Sequence, residues 1–488
     1  MRFNICIQNF VSDFARLLRE DSAAIFAGAG LSAGSGYVNW SELLKEPARR
    51  IGLDSSKETD MVTLAQYIYN GENTKQPLAE LIKNSFRHGG RLNNNHKILA
   101  RLPIRTFWTT NYDSLIENSL EEAGKNPDIK KRIADLTSIK SRRDAVVYKM
   151  HGDVDIANDV ILIKDDYELY DTKNQLFTIN LKSDLVSKTF LFIGFSFEDP
   201  NLEYILSKVK ILTQGYTRQH YCFIRKVNRE SYEAGEEGEK EFQYDLIKQG
   251  LKCADLKRYC IVPLIVDEYE NITEILKMVE ERYKMTRILI SGSSEEYSEF
   301  NLKGIEGKEF AYKLSIELNR TNYKIVTGFG NGIGSAVING VVDNINTTNT
   351  RNLDDHLVIR PFPQYANNGQ DYESIKKQYR SSLVNESGIA IFVFGNKKDK
   401  KDDDKIIIAD GVIDEFEMAI ENGIKVIPIG ATGYASKILW DKVITNFNDY
   451  FPDHSYLKDK FELLGSQMEY KDIIEIVLNI IEELNKVV

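Results

Sequence analysis

Apolar residues in this chain fall into short unbroken runs separated by longer stretches with a helical period. The runs are Ala23 to Ala27, Phe107 to Thr110, Ala145 to Met150, Thr189 to Phe195, Tyr221 to Arg225 and Ile261 to Val266, followed by Arg287 to Ser291, Lys324 to Thr327, His356 to Arg360, Gly388 to Gly395 and Lys425 to Ile429. Runs this short and this apolar predict strands covered on both faces, and the helical segments between them predict parallel crossovers. The fold class expected is α/β, with two Rossmann-like three-layer domains built on parallel sheets. The helical pattern from Asn271 to Tyr283 closes the first domain, which places the domains at 1–284 and 285–488. Phe3, Ile7, Phe10, Phe14 and Leu17 at one end, and Ile473 to Leu484 at the other, have the spacing of amphipathic helices. Such faces pack either on their own domains or on partner subunits. A Glu-rich stretch from Glu230 to Gln249 predicts a solvated surface helix, and Lys397 to Lys405 a charged loop.

A length of 488 residues exceeds what one ordinary core organises, in keeping with two domains. No apolar run approaches the ~20 residues needed to cross a bilayer, and the first helix is interrupted by charges where a signal peptide would be continuous. A cytoplasmic protein with no membrane partner is expected. A net charge of −10 argues against a surface that wraps nucleic acid. The four cysteines, Cys6, Cys222, Cys253 and Cys260, form no C-x-x-C pair. Neither a disulfide framework nor a cysteine zinc site is indicated, and no metal is expected.

The candidate chemistry lies where strands end. The run at Ala27 enters the turn Gly28-Ala29-Gly30-Leu31-Ser32-Ala33-Gly34-Ser35-Gly36. Glycines there allow positive φ and close approach of a ligand, and N–H groups at a helix start attract phosphate. The next runs end in Thr110-Asn111-Tyr112-Asp113, in His151-Gly152-Asp153 and in Gly194-Phe195-Ser196. Polar groups beyond the carboxyl ends of parallel strands stand where α/β sheets bind ligands. The second domain repeats the arrangement with Gly292-Ser293 and with Gly328 to Ser335, which holds Gly330, Gly332 and Gly334.

From about Val11 to Tyr283 the chain resembles the sirtuin family, on the pieces Gly28 to Ser32, Thr110 to Asp113, His151-Gly152 and Gly194 to Ser196 in the family's order. The resemblance implies an NAD site. Ala27, Gly28, Ala29, Gly30, Ser32, Gly36, Thr110, Gly194 and Ser196 would hold the dinucleotide, with Asn111, Asp113 and His151 lining the nicotinamide ribose pocket. The four zinc cysteines of protein-deacylating sirtuins are missing, so the closer likeness is to zinc-free sirtuin-like domains of bacterial immune effectors, which hydrolyse NAD. Chemically, Asn111 suits a ribose hydroxyl or the attacking water, and a neutral His151 suits general-base work near pH 7. Asp113 suits orienting the carboxamide or a loop N–H. Asn111 as a helix N-cap and His151 as a structural residue are the alternatives.

The second domain resembles the SLOG family of nucleotide sensors, and the order of the two domains resembles the ThsA effectors of Thoeris antiphage defence. That resemblance implies that a cyclic ADP-ribose isomer, made by a partner TIR-domain protein, binds the SLOG domain and switches on NAD hydrolysis. Arg380, Lys397 and Glu415 would contact this ligand over a floor of Gly292, Ser293, Gly330, Gly332, Gly334 and Ser335. Gly411-Val412-x-x-Glu415 is similar to a helix start of phosphoribohydrolases, but Ala409-Asp410 stand where those enzymes have glycines, which favours a sensor. The family also implies a homo-oligomer, a tetramer. A zinc-free NAD-dependent deacylase and a non-catalytic nucleotide sensor are the competing functions.

Overall fold

A computed structural model describes residues 3–486 apart from Val38, His88, Gly89, Ser196, Glu198, Asp199, Thr217, 349–351, 363–370, Lys400 and Asp403. The chain divides into two compact units, Met1–Glu280 and Glu281–Val488. The division falls inside the helix Glu270–Lys284.

Among the described residues of the first unit, one seven-stranded sheet contains β1 (Ala23–Ala27), β2 (Thr106–Thr109), β3 (Pro127–Lys130), β4 (Ala145–Lys149), β5 (Thr189–Ile193), β6 (His220–Arg225) and β7 (Ile261–Val266), in the order β3-β4-β2-β1-β5-β6-β7. Neighbouring strands are parallel throughout. Every residue of β1 and β5 is buried, which is why these strands read as unbroken apolar runs. The edge strand β3, Pro-Asp-Ile-Lys, leaves no such run: an edge position tolerates a proline and charges that a central strand excludes.

The second unit holds β8 (Arg287–Ser293), β9 (Lys324–Thr327), β10 (Leu357–Ile359), β11 (Ile389–Phe394) and, after a hairpin, β14 (Lys425–Pro428). These form a parallel sheet in the order β10-β9-β8-β11-β14. The hairpin pairs β12 (Asn396–Lys398) antiparallel with β13 (Ile406–Ile408). It corrects the expectation of a plain charged loop from Lys397 to Lys405: three consecutive isoleucines on the return strand give the lysine run a partner.

Both terminal helices bury their apolar faces within their own domains. Asn4 caps the helix Ile5–Arg19, whose Phe10 packs edge-on against Tyr221 with ring centres 4.9 Å apart. The helix Tyr470–Lys486 buries Ile473, Val477, Ile480, Ile481 and Leu484. The Glu-rich helix extends further than its charges suggest, over Glu236–Lys257, with only Gly238 and Leu256 buried among its described residues. Tyr244, Ile247 and Leu251 form an exposed apolar row along it.

Candidate functional site

In the first sheet the chain leaves β1 toward β2 on one side and later returns to place β5 on the other. Such a reversal marks the usual ligand position of an open α/β sheet, at the carboxyl ends of its strands. The glycine turn after β1 lies there, as a helix over Ala29–Ala33 capped by Gly28. Its glycines answer first to the neighbouring strand exit. Gly28 N–H donates to Ile193 O (3.0 Å) and Gly30 N–H to Gly194 O (2.8 Å). A Cβ on Gly28 would overlap the Gly194 carbonyl oxygen, and one on Gly30 would lie 2.8 Å from Gly194 Cα. Gly194 itself has φ +64°. The two exits are thus packed backbone on backbone, and the Gly28 and Gly30 amides point at protein carbonyls. Ala29, Gly30 and Gly36 keep an exposed side, and Thr110 is half-buried. Ser196 lies outside the described residues.

The exit of β2 joins this turn through side chains. Thr109 Oγ1 donates to Ala27 O (2.9 Å) and accepts from Asn111 N–H (3.0 Å). Asn111 Nδ2 donates to Gly28 O and to Ser32 Oγ, both at 3.1 Å. Ser32 Oγ in turn donates to Asp113 Oδ2 (2.9 Å), and Asp113 Oδ1 accepts Leu115 N–H (3.0 Å) at the start of the helix Leu115–Glu122. Asp113 thus holds the first N–H of that helix, a contact distinct from the carboxamide or loop N–H expected of it. Asn111 does not cap that helix with its side chain.

His151 stands on the adjacent exit. Thr109 pairs with Lys149 across β2 and β4, so Asn111 and His151 lie two residues beyond matched positions. The His151 ring packs edge-on to Tyr167 (5.4 Å between centres), and its carbonyl accepts Ile161 N–H (3.0 Å). Ser32, Asn111, Asp113 and His151 are all at most 7% exposed.

In the second sheet the same reversal occurs beside β8, with β9 on one side and β11 on the other. Glu415, on the helix Asp410–Glu421, accepts from Ser291 Oγ (2.6 Å), and its burial pushes the carboxyl pKa up against the opposing pull of Ser291 and Arg380. Arg380 Nη1 donates to Asp414 Oδ2 (2.8 Å), its Nε lies 4.0 Å from Glu415 Oε1, and its guanidinium sits 4.8 Å from the centre of the Phe362 ring. Lys397, on β12, donates to Asp410 Oδ2 (2.6 Å). Ser293 Oγ donates to Asn396 O (2.9 Å). The glycine loop closes on this exit, where a Cβ on Gly330 would overlap Gly292 O and one on Gly332 would overlap Ser294 O. Gly334 packs against Phe329, whereas Ser335 is exposed.

Two family models match the chain, one described as a SIR2-like domain over residues 105–245 and one as the Sir2- and TIR-associating SLOG family over residues 271–484. A protein named NAD(+) hydrolase ThsA from Cytobacillus dafuensis is 52% identical over 477 residues, 97% of this chain and 96% of that one. Proteins of the same name from Bacillus cereus (strain MSX-D12) and Enterococcus faecium are each 43% identical, over 99% and 98% of this chain and 100% and 98% of theirs. The chain belongs to the ThsA family.

In this ThsA-family chain several residues that hold these strand exits together were not marked by any motif. Ser291 is hidden inside an apolar strand, and Thr109 and Lys149 read as ordinary strand-end residues. Asn93 was likewise unmarked, although its Nδ2 holds Leu31 O (2.7 Å) and Ser35 Oγ (3.3 Å) and so fixes the glycine turn from behind. Only a polar residue breaking an apolar run could have signalled them, and such breaks are common.

Two buried histidines are expected to make this domain acid-sensitive. His96, beside Asp113, and His220, which accepts Phe190 N–H on Nδ1 (3.0 Å), each have a pKa lowered by burial to about 4. Asp113 opposes the shift at His96, and Arg218 adds to it at His220. Folded pKa values lie below the unfolded 6.5, so the unfolded chain binds the extra protons, and stability falls as pH drops from 6.5 toward 4. At pH 5 the pair is expected to lower the unfolding free energy by roughly 4 kcal/mol relative to pH 8. Denaturant melts of the first domain should show this. In His96→Leu, whose ring nitrogens have no hydrogen-bond partner among the described residues, about half of the slope should disappear.

Proposed function

We propose that this chain hydrolyses the nicotinamide–ribose bond of NAD in its first domain, and that a cyclic ADP-ribose isomer held in its second domain switches the reaction on, depleting cellular NAD in antiphage defence. The observation that carries the catalytic half is the hydrogen-bonded series Gly28–Asn111–Ser32–Asp113 at the sheet's reversal point, with His151 on the adjacent exit. When the N-glycosidic bond breaks, its electron pair leaves with nicotinamide as a neutral base, and the ribose gains oxocarbenium character. Water then adds to the anomeric carbon and gives up a proton to His151, while Asn111 holds a ribose hydroxyl or that water. A general base so placed contributes roughly 10² to 10⁴ in rate. The burial of all these side chains fits an enzyme that stays closed until signalled.

The second half rests on Arg380 and Lys397. Each is now paired with an acid on one helix, Arg380 with Asp414 and Lys397 with Asp410 at its start. Arg380 Nε, moreover, has no hydrogen-bond partner among the described residues. A ligand diphosphate would take over these cations from the two aspartates, and Glu415 would receive ribose hydroxyls. The name of the matching SLOG family, which associates with TIR domains, supports a TIR-domain protein as the source of the ligand. The exposed row Tyr244, Ile247 and Leu251 supports assembly with further copies, a tetramer by family likeness, in the cytoplasm.

The deciding experiment is nicotinamide release from NAD by the purified full chain, with and without a panel of cyclic ADP-ribose isomers. Cleavage that rises sharply with one isomer supports both halves. Stoichiometric NAD binding with no nicotinamide under any ligand would replace the reading with a non-catalytic sensor. In Arg380→Ala the loss of charge-assisted hydrogen bonds, ~1.5–3 kcal/mol, should raise the half-maximal activator concentration by roughly 10- to 100-fold. The maximal rate at saturating ligand should survive.

A further inference from the structure

Lys149, the last residue of β4, is 0% exposed. A buried ammonium is destabilising by several kcal/mol unless its donors and its charge are met. Its Nζ donates to the carbonyl oxygens of Tyr112 (3.2 Å) and Asp113. It also forms ion pairs with Glu117 Oε1 (3.0 Å) and Asp153 Oδ2 (2.5 Å). The two carbonyls belong to the turn that carries Asn111, and Glu117 lies in the first turn of the following helix. Asp153 follows His151-Gly152, is itself 0% exposed, and receives Lys131 Nζ on Oδ1 (2.8 Å). Burial alone would raise the Asp153 carboxyl, but Lys149 and Lys131 bring it below the usual carboxylate range. Glu117 is pushed up by burial against the pull of Lys149.

We infer that Lys149 is a positioning residue of the active site: its ammonium locks the Asn111–Asp113 turn to the His151–Asp153 turn, so that both proposed catalytic side chains face one ribose. The inference rests on the catalytic reading of Asn111 and His151. With the Asp113 carbonyl turned down to Lys149, its carboxylate is left to hold Ser32 Oγ and Leu115 N–H on the other side. Without the cation, two carbonyl oxygens would face two buried carboxyl groups, and the turn would rotate away. A misplacement of about 1 Å can lower turnover on the order of 10²-fold.

The competing account is that Lys149 only neutralises buried acids. Three full-length variants separate the two: Lys149→Met, Lys149→Met/Glu117→Gln and Glu117→Gln. The double variant removes the acid left without a counter-ion, and Lys131 still balances Asp153, so its fold should recover. Its kcat for nicotinamide release should stay about 10²-fold below that of the unaltered chain, with KM for NAD changed only a few-fold. Amide hydrogen exchange over 110–115 should speed up while the rest of the first domain keeps its protection. Glu117→Gln, which keeps both carbonyl contacts and so leaves the turn in place, should turn over within about 3-fold of the unaltered chain. Normal kcat in the folded double variant, unchanged exchange over 110–115, or a Glu117→Gln loss as large as that of Lys149→Met would each overturn the inference. The exchange measurement needs no turnover, so an unaltered chain that cleaved no NAD would count against the hydrolase reading alone.

Discussion

Asn111→Ala is expected to reduce nicotinamide release from NAD by roughly 10² to 10³, the loss typical of removing one positioned polar group that acts on developing charge. The same change removes the donor to Gly28 O and Ser32 Oγ, which lie in a buried network. Leaving those acceptors unmatched costs about 1–3 kcal/mol, which a domain of this size survives. Activity should fall by that factor while the melting transition shifts by only a few degrees. NAD binding, measured by calorimetry on the same preparation, should persist, because the glycine turn remains. A folded Asn111→Ala chain that cleaves NAD at the unaltered rate would remove Asn111 from the mechanism.

Gly194→Ala has the largest expected effect on stability. Its backbone sits at φ +64°, where a side chain costs ~1 kcal/mol, and its added Cβ would overlap Leu31 N in the facing turn. Relieving the overlap means parting two backbones joined by the Gly28–Ile193 and Gly30–Gly194 hydrogen bonds. A loss of roughly 3–5 kcal/mol is expected, read as the denaturant midpoint of the first domain. Activity should fall with it, because Asn111 is anchored on Gly28 O. Gly34→Ala supplies the contrast in the same turn. Its φ is −74° and nothing lies within 4 Å of the added Cβ. That variant should be stable to within about 1 kcal/mol of the unaltered chain, and is expected to be slightly more stable. Equal losses in the two variants would mean that the turn is sensitive to composition and not to the packing against Gly194.

The sequence by itself determined the α/β class and most of the strands, and it singled out their exits as the candidate sites. Strands covered on both faces must be continuously apolar, and that mark is local, as at β1 and β5. It also exposed Asn111, His151 and the glycine turns, because a sheet that ends in a ligand crevice places polar and small residues there whatever surrounds them. Only the tertiary structure decided what each of those residues touches. Gly28 and Gly30 proved to be packed on Gly194, Asp113 bonded to a serine 81 positions earlier in sequence, and Glu415 to a serine 124 positions earlier. The edge strand β3, the hairpin that orders Lys397 and the buried Lys149 with its two acids were likewise settled in three dimensions. These pairings follow from the order of strands across each sheet, which brings distant segments side by side. A local pattern of apolar and polar residues specifies that a segment is a strand; which strand becomes its neighbour depends on how all the helices cover the two faces together.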